Sequence, residues 1–262
     1  MMILNYLLYY LVILPISVLP FRVLYIISDG LYLIIYRVVR YRKKVVMTNI
    51  RNSFPEKSEK ECLDICSKFY RHLCDLLVES LKIFTISDEA VLKRMVLLNP
   101  EFLTGYYDQG KSIIMAGGHI NNWELFAVAI DELIPHKTIG IYQPLTNKFF
   151  DEKIRSSREK YGLRMISTKI VKKVFEDEKN EITATIFASD QSPSNPNNCY
   201  WMKFLNQDTG VLFGVEKYAK EYNYPVYFDV PVGHQPRNVA LKTGAVYNIE
   251  NEVLSEAWNL NA

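Results

Sequence analysis

The residues best suited to chemistry lie in one short segment of this sequence, residues 117–124 (GGHINNWE). A histidine, His119, and a carboxylate, Glu124, stand five positions apart in it. An imidazole beside a carboxylate suits general-base catalysis, because the carboxylate fixes the tautomer while the other ring nitrogen takes a proton. Five positions on a continuous helix turn through about 140°. The two side chains can therefore meet only if His119 lies in a loop and Glu124 in the first turn of the next helix.

Two structural interpretations of the same residues stay open on spacing alone. Asn121 and Glu124 fit a capping box, in which Glu124 only closes the N-terminus of a helix. An isolated histidine in a loop is also often a hydrogen-bonded structural residue rather than a base. The segment therefore indicates a candidate catalytic pair, and other residues must support it.

A second motif, residues 105–112 (GYYDQGKS), matches the phosphate-binding pattern G-x-x-x-x-G-K-S. A phosphate loop must follow a strand and open a helix, so that the helix N-terminus faces the phosphates. Here a predicted helix precedes the motif and a predicted strand follows it. We interpret Gly110 and Lys111 as the turn into that strand, and nucleotide hydrolysis is a weak alternative.

The elements that must position these residues alternate along the chain. Apolar periodicity predicts helices at 58–84, 88–95, 100–108, 123–133, 147–161, 169–178 and 209–222, and strands at 112–117, 138–142, 163–167, 183–188 and 225–230. This order predicts an α/β fold with a largely parallel central sheet covered by helices on both faces. Ligands of such sheets bind beyond the carboxyl ends of the strands, and His119 follows one of those ends.

Charge divides the chain into two parts with different compositions. The whole chain holds 31 basic and 29 acidic residues, but residues 1–44 hold six basic residues and only one acid, Asp29. Residues 2–21 lack charge, and a basic cluster follows at 37–44. This pattern predicts a membrane-associated helical segment at 1–44, either one crooked span or an interfacial anchor, joined to a domain at 45–262. A buried soluble helix pair is the alternative. We expect the segment to be retained, because it lacks the charge order and cleavage site of a signal peptide.

Composition excludes several classes of protein. With 262 residues, 49% of them hydrophobic, the chain is neither disordered nor fibrous, and a net charge of +2 does not predict a nucleic-acid partner. Cys62, Cys66 and Cys74 fall in the predicted helix 58–84, and their spacing with His72 is not that of a zinc site. We expect these cysteines to pack in a core, and we predict no metal site.

Four sequence blocks together resemble a known family. His119 and Glu124 form a His-x4-Glu block, residues 142–144 form a Tyr-Gln-Pro block, Arg158 precedes Gly162 by four, and Asp190 precedes Gln191. Over roughly residues 1–230 the chain resembles the bacterial lipid A biosynthesis acyltransferases, the Kdo-dependent lauroyl and myristoyl enzymes. These belong to the lysophospholipid and glycerol-phosphate acyltransferase superfamily, so the resemblance implies a glycerol-phosphate-acyltransferase-like fold.

The resemblance also implies an activity and its partners. The implied activity is that of an O-acyltransferase. It would move a fatty acyl chain from a thioester, usually on acyl carrier protein, to a hydroxyl of a lipid A precursor or a similar glycolipid. The thioester is a co-substrate, and no cofactor or metal is implied. The place of action would be the cytoplasmic face of the bacterial inner membrane.

The resemblance implies a role for each site residue. His119 would take the hydroxyl proton, and Glu124 would orient His119 and stabilise its charged form. The residues implied to bind substrate are Gly118, Asn122, Arg158, Asp190 and Gln191. Arg158 would hold a phosphate or carboxylate, and a backbone N–H near Gly118 would meet the oxyanion. On residue types alone, Arg158 could instead belong to a solvated helix face, and Asp190 could cap a loop.

Two departures from the family pattern carry their own expectations. Gln143 stands where the family commonly has arginine. Beyond about residue 230 the likeness fades, and from about 231 we expect an atypical or truncated C-terminus. The alternative function is therefore a catalytically silent, membrane-associated lipid-binding homologue.

Overall fold

The computed structural model describes residues 2–97, 100–228, 230–232, 241–244 and 248–249. The expectation of an atypical C-terminus falls mainly on residues outside this set. Eleven α-helices are described: α1 (Met2–Leu8), α2 (Leu14–Val18), α3 (Phe21–Tyr32), α4 (Lys43–Ser53), α5 (Glu59–Ser80), α6 (Asp88–Leu92), α7 (Pro100–Asp108), α8 (Trp123–Leu133), α9 (Lys148–Arg158), α10 (Val171–Asp177) and α11 (Gly214–Tyr222). Two π-helical stretches, Tyr9–Ile13 and Leu33–Val39, extend the N-terminal helices, and 3₁₀ turns follow α5 (Leu81–Phe84) and α9 (Glu159–Tyr161).

The strands form one central sheet and two smaller ones. The described strands are β1 (Met95–Leu97), β2 (Ile113–Gly117), β3 (Lys137–Tyr142), β4 (Arg164–Ser167), β5 (Thr183–Ala188), β6 (Tyr200–Phe204), β7 (Gln207–Val211), β8 (Val226–Phe228), β9 (Val230–Val232), β10 (Leu241–Gly244) and β11 (Asn248–Ile249). The central sheet has the order β11-β8-β2-β5-β3-β4, and β11 alone pairs antiparallel in it. The others are β1-β10-β9 and β6-β7. The prediction of a largely parallel sheet is confirmed.

Helices cover both faces of this sheet, as predicted, and β2 shows why its sequence is continuously apolar. Ile114 packs in a cluster with residues of α10 and α11, whereas Ile113 and Met115 pack in a cluster with residues of α7 and α8. Successive side chains of a strand point to opposite faces. Both faces of β2 are therefore buried, which is typical of a central parallel strand.

The N-terminal helices pack on the domain with one face and expose the other. Leu24 and Tyr32 of α3 are almost fully buried, and Ser28 donates a hydrogen bond of 2.6 Å to Asp75 of α5. Seven apolar side chains of this region each expose at least 65% of their surface: Met2, Ile3, Leu4, Leu11, Val18, Ile26 and Val38. Within the described residues, no one helix has the length and hydropathy to cross a bilayer; Met2–Val18 and Phe21–Val39 meet that test only as a pair, with a bend of 120° between them.

The cysteines of α5 pack in a core, as expected. Cys62, Cys66 and Cys74 are buried in a cluster that includes Tyr36 and Tyr70. Small apolar side chains on one helix face fill the space beneath these aromatic rings.

The G-x-x-x-x-G-K-S motif lies between a helix and a strand, in the order that the sequence predicted. Gly105 is inside α7, Gly110 has a φ of +68° in the turn that follows, and β2 begins just after the motif. No helix opens at the motif, so its backbone N–H groups do not form the phosphate-binding arrangement. The interpretation as a turn is confirmed.

One predicted helix begins at the wrong place. We expected a helix from 209 to 222, but residues 207–211 form β7, which pairs antiparallel with β6, and α11 begins only at Gly214. Thr209, Gly210 and Val211 combine two β-branched residues with a glycine, which favours a strand over a helix. The β6-β7 hairpin was therefore missed by the sequence analysis.

Candidate active site

The candidate site lies where two neighbouring parallel strands end. β2 pairs with β5 in a register that places Gly117 opposite Ala188. His119 is two residues beyond the first of these ends, and Asp190 is two residues beyond the second. The backbone N–H of Ser189 donates to the carbonyl oxygen of Gly117, which continues the pairing past the strands. This register brings His119 and Asp190 together at the carboxyl edge of the sheet.

Asp190 holds His119 at two points. Its Oδ1 lies 2.7 Å from Nδ1 of the imidazole, and its Oδ2 accepts a hydrogen bond of 2.6 Å from the backbone N–H of His119. An ionised carboxylate accepts hydrogen bonds only, so a neutral His119 ring paired with it carries its proton on Nδ1 and its lone pair on Nε2. The amide Nε2 of Gln191 is 3.4 Å from that ring nitrogen, on the side where a donor suits this tautomer. The imidazole therefore presents an unprotonated nitrogen beside Gln191.

Gly118 makes room for this contact. A Cβ at position 118 would lie 3.0 Å from Oδ2 and 3.1 Å from Cγ of Asp190. A side chain here would therefore require the Asp190 carboxylate to shift by a few tenths of an ångström. The absence of a side chain at Gly118 therefore leaves the space that the Asp190 carboxylate occupies. The predicted oxyanion contact is not available from the next residue, because the N–H of His119 already donates to Asp190.

Glu124 does not make the contact with His119 that was expected of it. Both of its carboxylate oxygens accept hydrogen bonds from Arg158, at 2.8 Å from Nε and 2.6 Å from Nη2. Glu124 is in the first turn of α8 and Arg158 ends α9, and the two side chains are only 13% and 20% exposed. In this structure Asp190, not Glu124, contacts the His119 ring, and the orienting role expected of Glu124 stays a prediction.

The pairing also changes the interpretation of Arg158. Burial alone lowers the pKa of the Arg158 guanidinium, but its hydrogen bonds and attraction to Glu124 outweigh this effect and raise the pKa. The guanidinium edge formed by Nε and Nη2, which can form a bidentate pair with a phosphate, is already occupied by a carboxylate. The pair is largely buried, so Arg158 does not belong to a solvated helix face.

Asn122 has a structural role. Its Oδ1 accepts a hydrogen bond of 3.0 Å from the N–H of Leu125, so Asn122 is the N-cap of α8. The capping box proposed for Asn121 and Glu124 is therefore wrong by one residue, and Asn121 instead has a φ of +54° in the loop. Because Asn122 is only 2% exposed, the expectation that it binds substrate is not supported by its position.

A buried carboxyl group, which the sequence analysis did not identify, holds this cap. Oε2 of Glu79 accepts a hydrogen bond of 2.8 Å from Nδ2 of Asn122, and Tyr25 donates to its Oε1 at 2.6 Å. Glu79 is 4% exposed, and burial raises the pKa of its carboxyl group. An acidic residue on the apolar face of α5 was the available sequence signal. The contact connects α3 and α5 to the loop that carries His119.

An aromatic ring completes the surroundings of His119. The ring of Trp123 meets the imidazole edge to face, with 5.1 Å between the ring centres. Among the described residues, no group of three or more histidine, cysteine, aspartate or glutamate side chains is arranged to hold a metal ion. The arrangement is a histidine with a fixed tautomer, a partly exposed ring and an adjacent amide donor. Such a site can remove a proton from a hydroxyl group.

Comparisons with known proteins agree with this chemistry. The sequence model of a family described as "Bacterial lipid A biosynthesis acyltransferase" matches residues 1–233. A curated relative, the lipid A biosynthesis lauroyltransferase of Escherichia coli (strain K12), is 27% identical over 133 residues. That alignment covers 51% of this chain and 43% of the relative, so the chain spans less than half of the length of this curated protein in the match.

Proposed function

The chain belongs to the bacterial lipid A biosynthesis acyltransferase family, and we propose that it transfers a fatty acyl chain from a thioester to a hydroxyl group of a lipid A precursor or a similar glycolipid. Acyl carrier protein is the proposed donor, and the N-terminal segment is proposed to keep the site at the cytoplasmic side of a membrane. The observation that carries the proposal is the His119–Asp190 pair, 2.7 Å apart, at the carboxyl edge of the parallel sheet.

His119 acts as the general base in this proposal. Its Nε2 takes the proton of the acceptor hydroxyl as the oxygen attacks the thioester carbonyl carbon. Asp190 keeps Nδ1 protonated and stabilises the positive charge that develops on the ring, as the acid of a catalytic triad does. The tetrahedral intermediate then collapses, the carbon–sulfur bond breaks, and the leaving thiolate takes the proton back from His119. The products are an ester and a free thiol, and the reaction requires no covalent acyl-enzyme.

Two further contacts support the reaction in this proposal. The amide of Gln191 lies beside Nε2 of His119, where it can donate to the oxygen of an incoming hydroxyl or of the intermediate. The ion pair of Glu124 and Arg158 holds the start of α8 against the end of α9. Because the loop of His119 leads into α8, this pair positions the base without contact to the reacting atoms.

Transfer of a labelled acyl chain from acyl carrier protein to detergent-dispersed lipid A precursor tests the function. We expect His119→Ala to lose at least 10²-fold in kcat, which is the usual contribution of a general base. Ile120→Ala is the matched control, since Ile120 is 53% exposed in the same loop and has no place in the mechanism. Equal transfer by His119→Ala and wild type would overturn the assignment. Wild-type protein that binds the lipid without turnover would favour the silent homologue.

A further inference from the structure

The β6-β7 hairpin carries exposed apolar side chains on both of its faces and at its tip. We call Tyr200, Trp201, Phe204 and Leu205 the hairpin surface; they are 48%, 60%, 57% and 45% exposed. Among the described strands, β6 and β7 pair only with each other. The hairpin thus exposes three aromatic side chains and a leucine. Such a group is unusual on a surface that only water contacts, and it commonly marks an interaction site. Tyrosine and tryptophan are also the residues enriched at the water interface of membranes.

The tip of the hairpin holds its apolar residue in an unfavourable backbone conformation. Leu205 and Asn206 have φ values of +50° and +60°. A two-residue turn with both φ values positive favours asparagine, aspartate or glycine, and Asn206 meets this preference. A leucine at such a position is uncommon, because its Cβ is crowded in the left-handed region. The sequence therefore places a bulky apolar side chain at the exposed tip although the backbone favours a small polar one.

Hydrogen bonds connect the hairpin to the basic part of the N-terminal region. Nδ2 of Asn52, in α4, donates to Oε1 of Gln207 at 3.2 Å, and Nδ2 of Asn206 donates to the carbonyl oxygen of Asn52 at 3.1 Å. α4 begins at Lys43, directly after the exposed basic residues Arg40 and Arg42. A helix rises about 1.5 Å per residue, so Lys43 and Lys44 at the start of α4 lie about 12–14 Å along the helix axis from Asn52, which the turn contacts. Basic residues at this distance favour an anionic surface.

The hairpin is also close to the candidate active site along the chain. β6 begins ten residues after Asp190, and the loop between them packs on β7. A Cβ at Gly210 would lie 2.9 Å from Sγ of Cys199 and 3.5 Å from Pro193, which shows how close this contact is. At ten residues of chain, the start of β6 lies within about 36 Å of Asp190.

We propose that the hairpin surface inserts into the boundary between head groups and acyl chains of an anionic bilayer. The rings of Trp201 and Phe204 would lie in this boundary, with Leu205 at the deepest point and the basic cluster on the head groups. This inference deepens the proposed function, because it explains how a membrane-held acceptor reaches His119. A second copy of the chain is the competing occupant of the same surface.

Tryptophan fluorescence tests the insertion directly. The chain has three tryptophans, so the difference between wild-type and Trp201→Phe spectra isolates Trp201. The probe is vesicles of phosphatidylethanolamine and phosphatidylglycerol that carry bromine near the top of the acyl chains. We expect the Trp201 emission to shift to the blue and to lose at least half of its intensity to bromine. Unshifted and unquenched Trp201 emission in membrane-bound protein would overturn the proposal. A blue shift without vesicles that grows with protein concentration would assign the surface to a second copy and overturn it too.

Two variants at the tip separate this inference from the proposed function. Leu205→Asn suits the backbone better than leucine and removes the apolar side chain, whereas Leu205→Phe keeps an apolar side chain. We expect Leu205→Asn to halve the quenching of Trp201 and to raise KM about fivefold for acceptor in vesicles, with unchanged kcat for acceptor in detergent. Leu205→Phe should behave as wild type. Equal KM values in vesicles for both variants would contradict the inference, whereas absent transfer in detergent by wild type would contradict the proposed function and leave the fluorescence result standing.

Discussion

Replacement of Asp190 by asparagine tests the central contact of the site with the smallest change in shape. The backbone N–H of His119 donates to Oδ2 of Asp190 at 2.6 Å, so it selects the oxygen of the new amide. The NH₂ group then faces Nδ1 of His119, at the position where Oδ1 now lies at 2.7 Å. Because an amide nitrogen only donates, Nδ1 must accept, and the ring proton moves to Nε2.

The size of the effect follows from this change of tautomer. A protonated Nε2 cannot take a proton from a hydroxyl group, so Asp190→Asn removes the base without removing His119. A general base contributes about 10²–10⁴-fold to the rate, which corresponds to about 3–5 kcal/mol of transition-state stabilisation. We expect kcat to fall by this factor. His119 is 29% and Asp190 41% exposed, so the free energy of unfolding should change by less than about 1 kcal/mol.

The assay is steady-state acyl transfer in detergent, which gives kcat, with urea unfolding of each variant. Asp64→Asn is the matched control, because Asp64 is an exposed aspartate of α5 that pairs only with Lys68 among the described contacts. It has the same chemical change without a contact to His119. We expect the control to keep wild-type kcat and wild-type stability.

A particular result would refute the structural reasoning. If Asp190→Asn transfers acyl chains within threefold of wild type while Glu124→Gln loses activity without loss of stability, then Glu124 is the partner of His119 during turnover. The contact of His119 with Asp190 would then have no catalytic role, and the original interpretation of the His-x4-Glu spacing would stand.

Three further predictions concern the surroundings of the site. Glu124→Gln and Arg158→Met each remove one partner of a largely buried ion pair, and each should lower the free energy of unfolding in urea by about 1–3 kcal/mol. The double variant should lose less than the sum, and strictly additive losses would argue against coupling. Gly118→Ala places a Cβ 3.0 Å from Oδ2 of Asp190, so kcat should fall on the order of tenfold with little change in Tm; an unchanged kcat would show that Asp190 can move without cost. Burial lowers the pKa of His136, which is 1% exposed. As the pH decreases, the unfolded chain therefore binds a proton at His136 before the folded chain does. The free energy of unfolding should then fall below the usual histidine pKa of about 6.5. His136→Phe should weaken this dependence in urea unfolding between pH 7 and pH 5, and an unchanged slope would contradict the assignment.

Much of the fold could be predicted because its signals are local. α8 was predicted at its observed bounds from apolar periodicity, and so was α7. β2 and β5 were predicted within one residue, because strands buried on both faces are continuous apolar runs. The β6-β7 hairpin was missed because Leu205 stands in its turn where asparagine or glycine is the usual signal.

The candidate site could be predicted only in part. The sequence alone determined that His119 follows a buried strand and that a helix begins just after it, since both depend on a few consecutive residues. The cap of that helix was predicted at Asn121 and is at Asn122. Tertiary structure decided the partners. Asp190, 71 positions away, meets His119 because parallel pairing of β2 and β5 aligns their carboxyl ends, whereas Glu124, five positions away, points to Arg158 on α9. Sequence spacing limits where a side chain can lie, but strand register and helix packing determine which charged group is within hydrogen-bond distance.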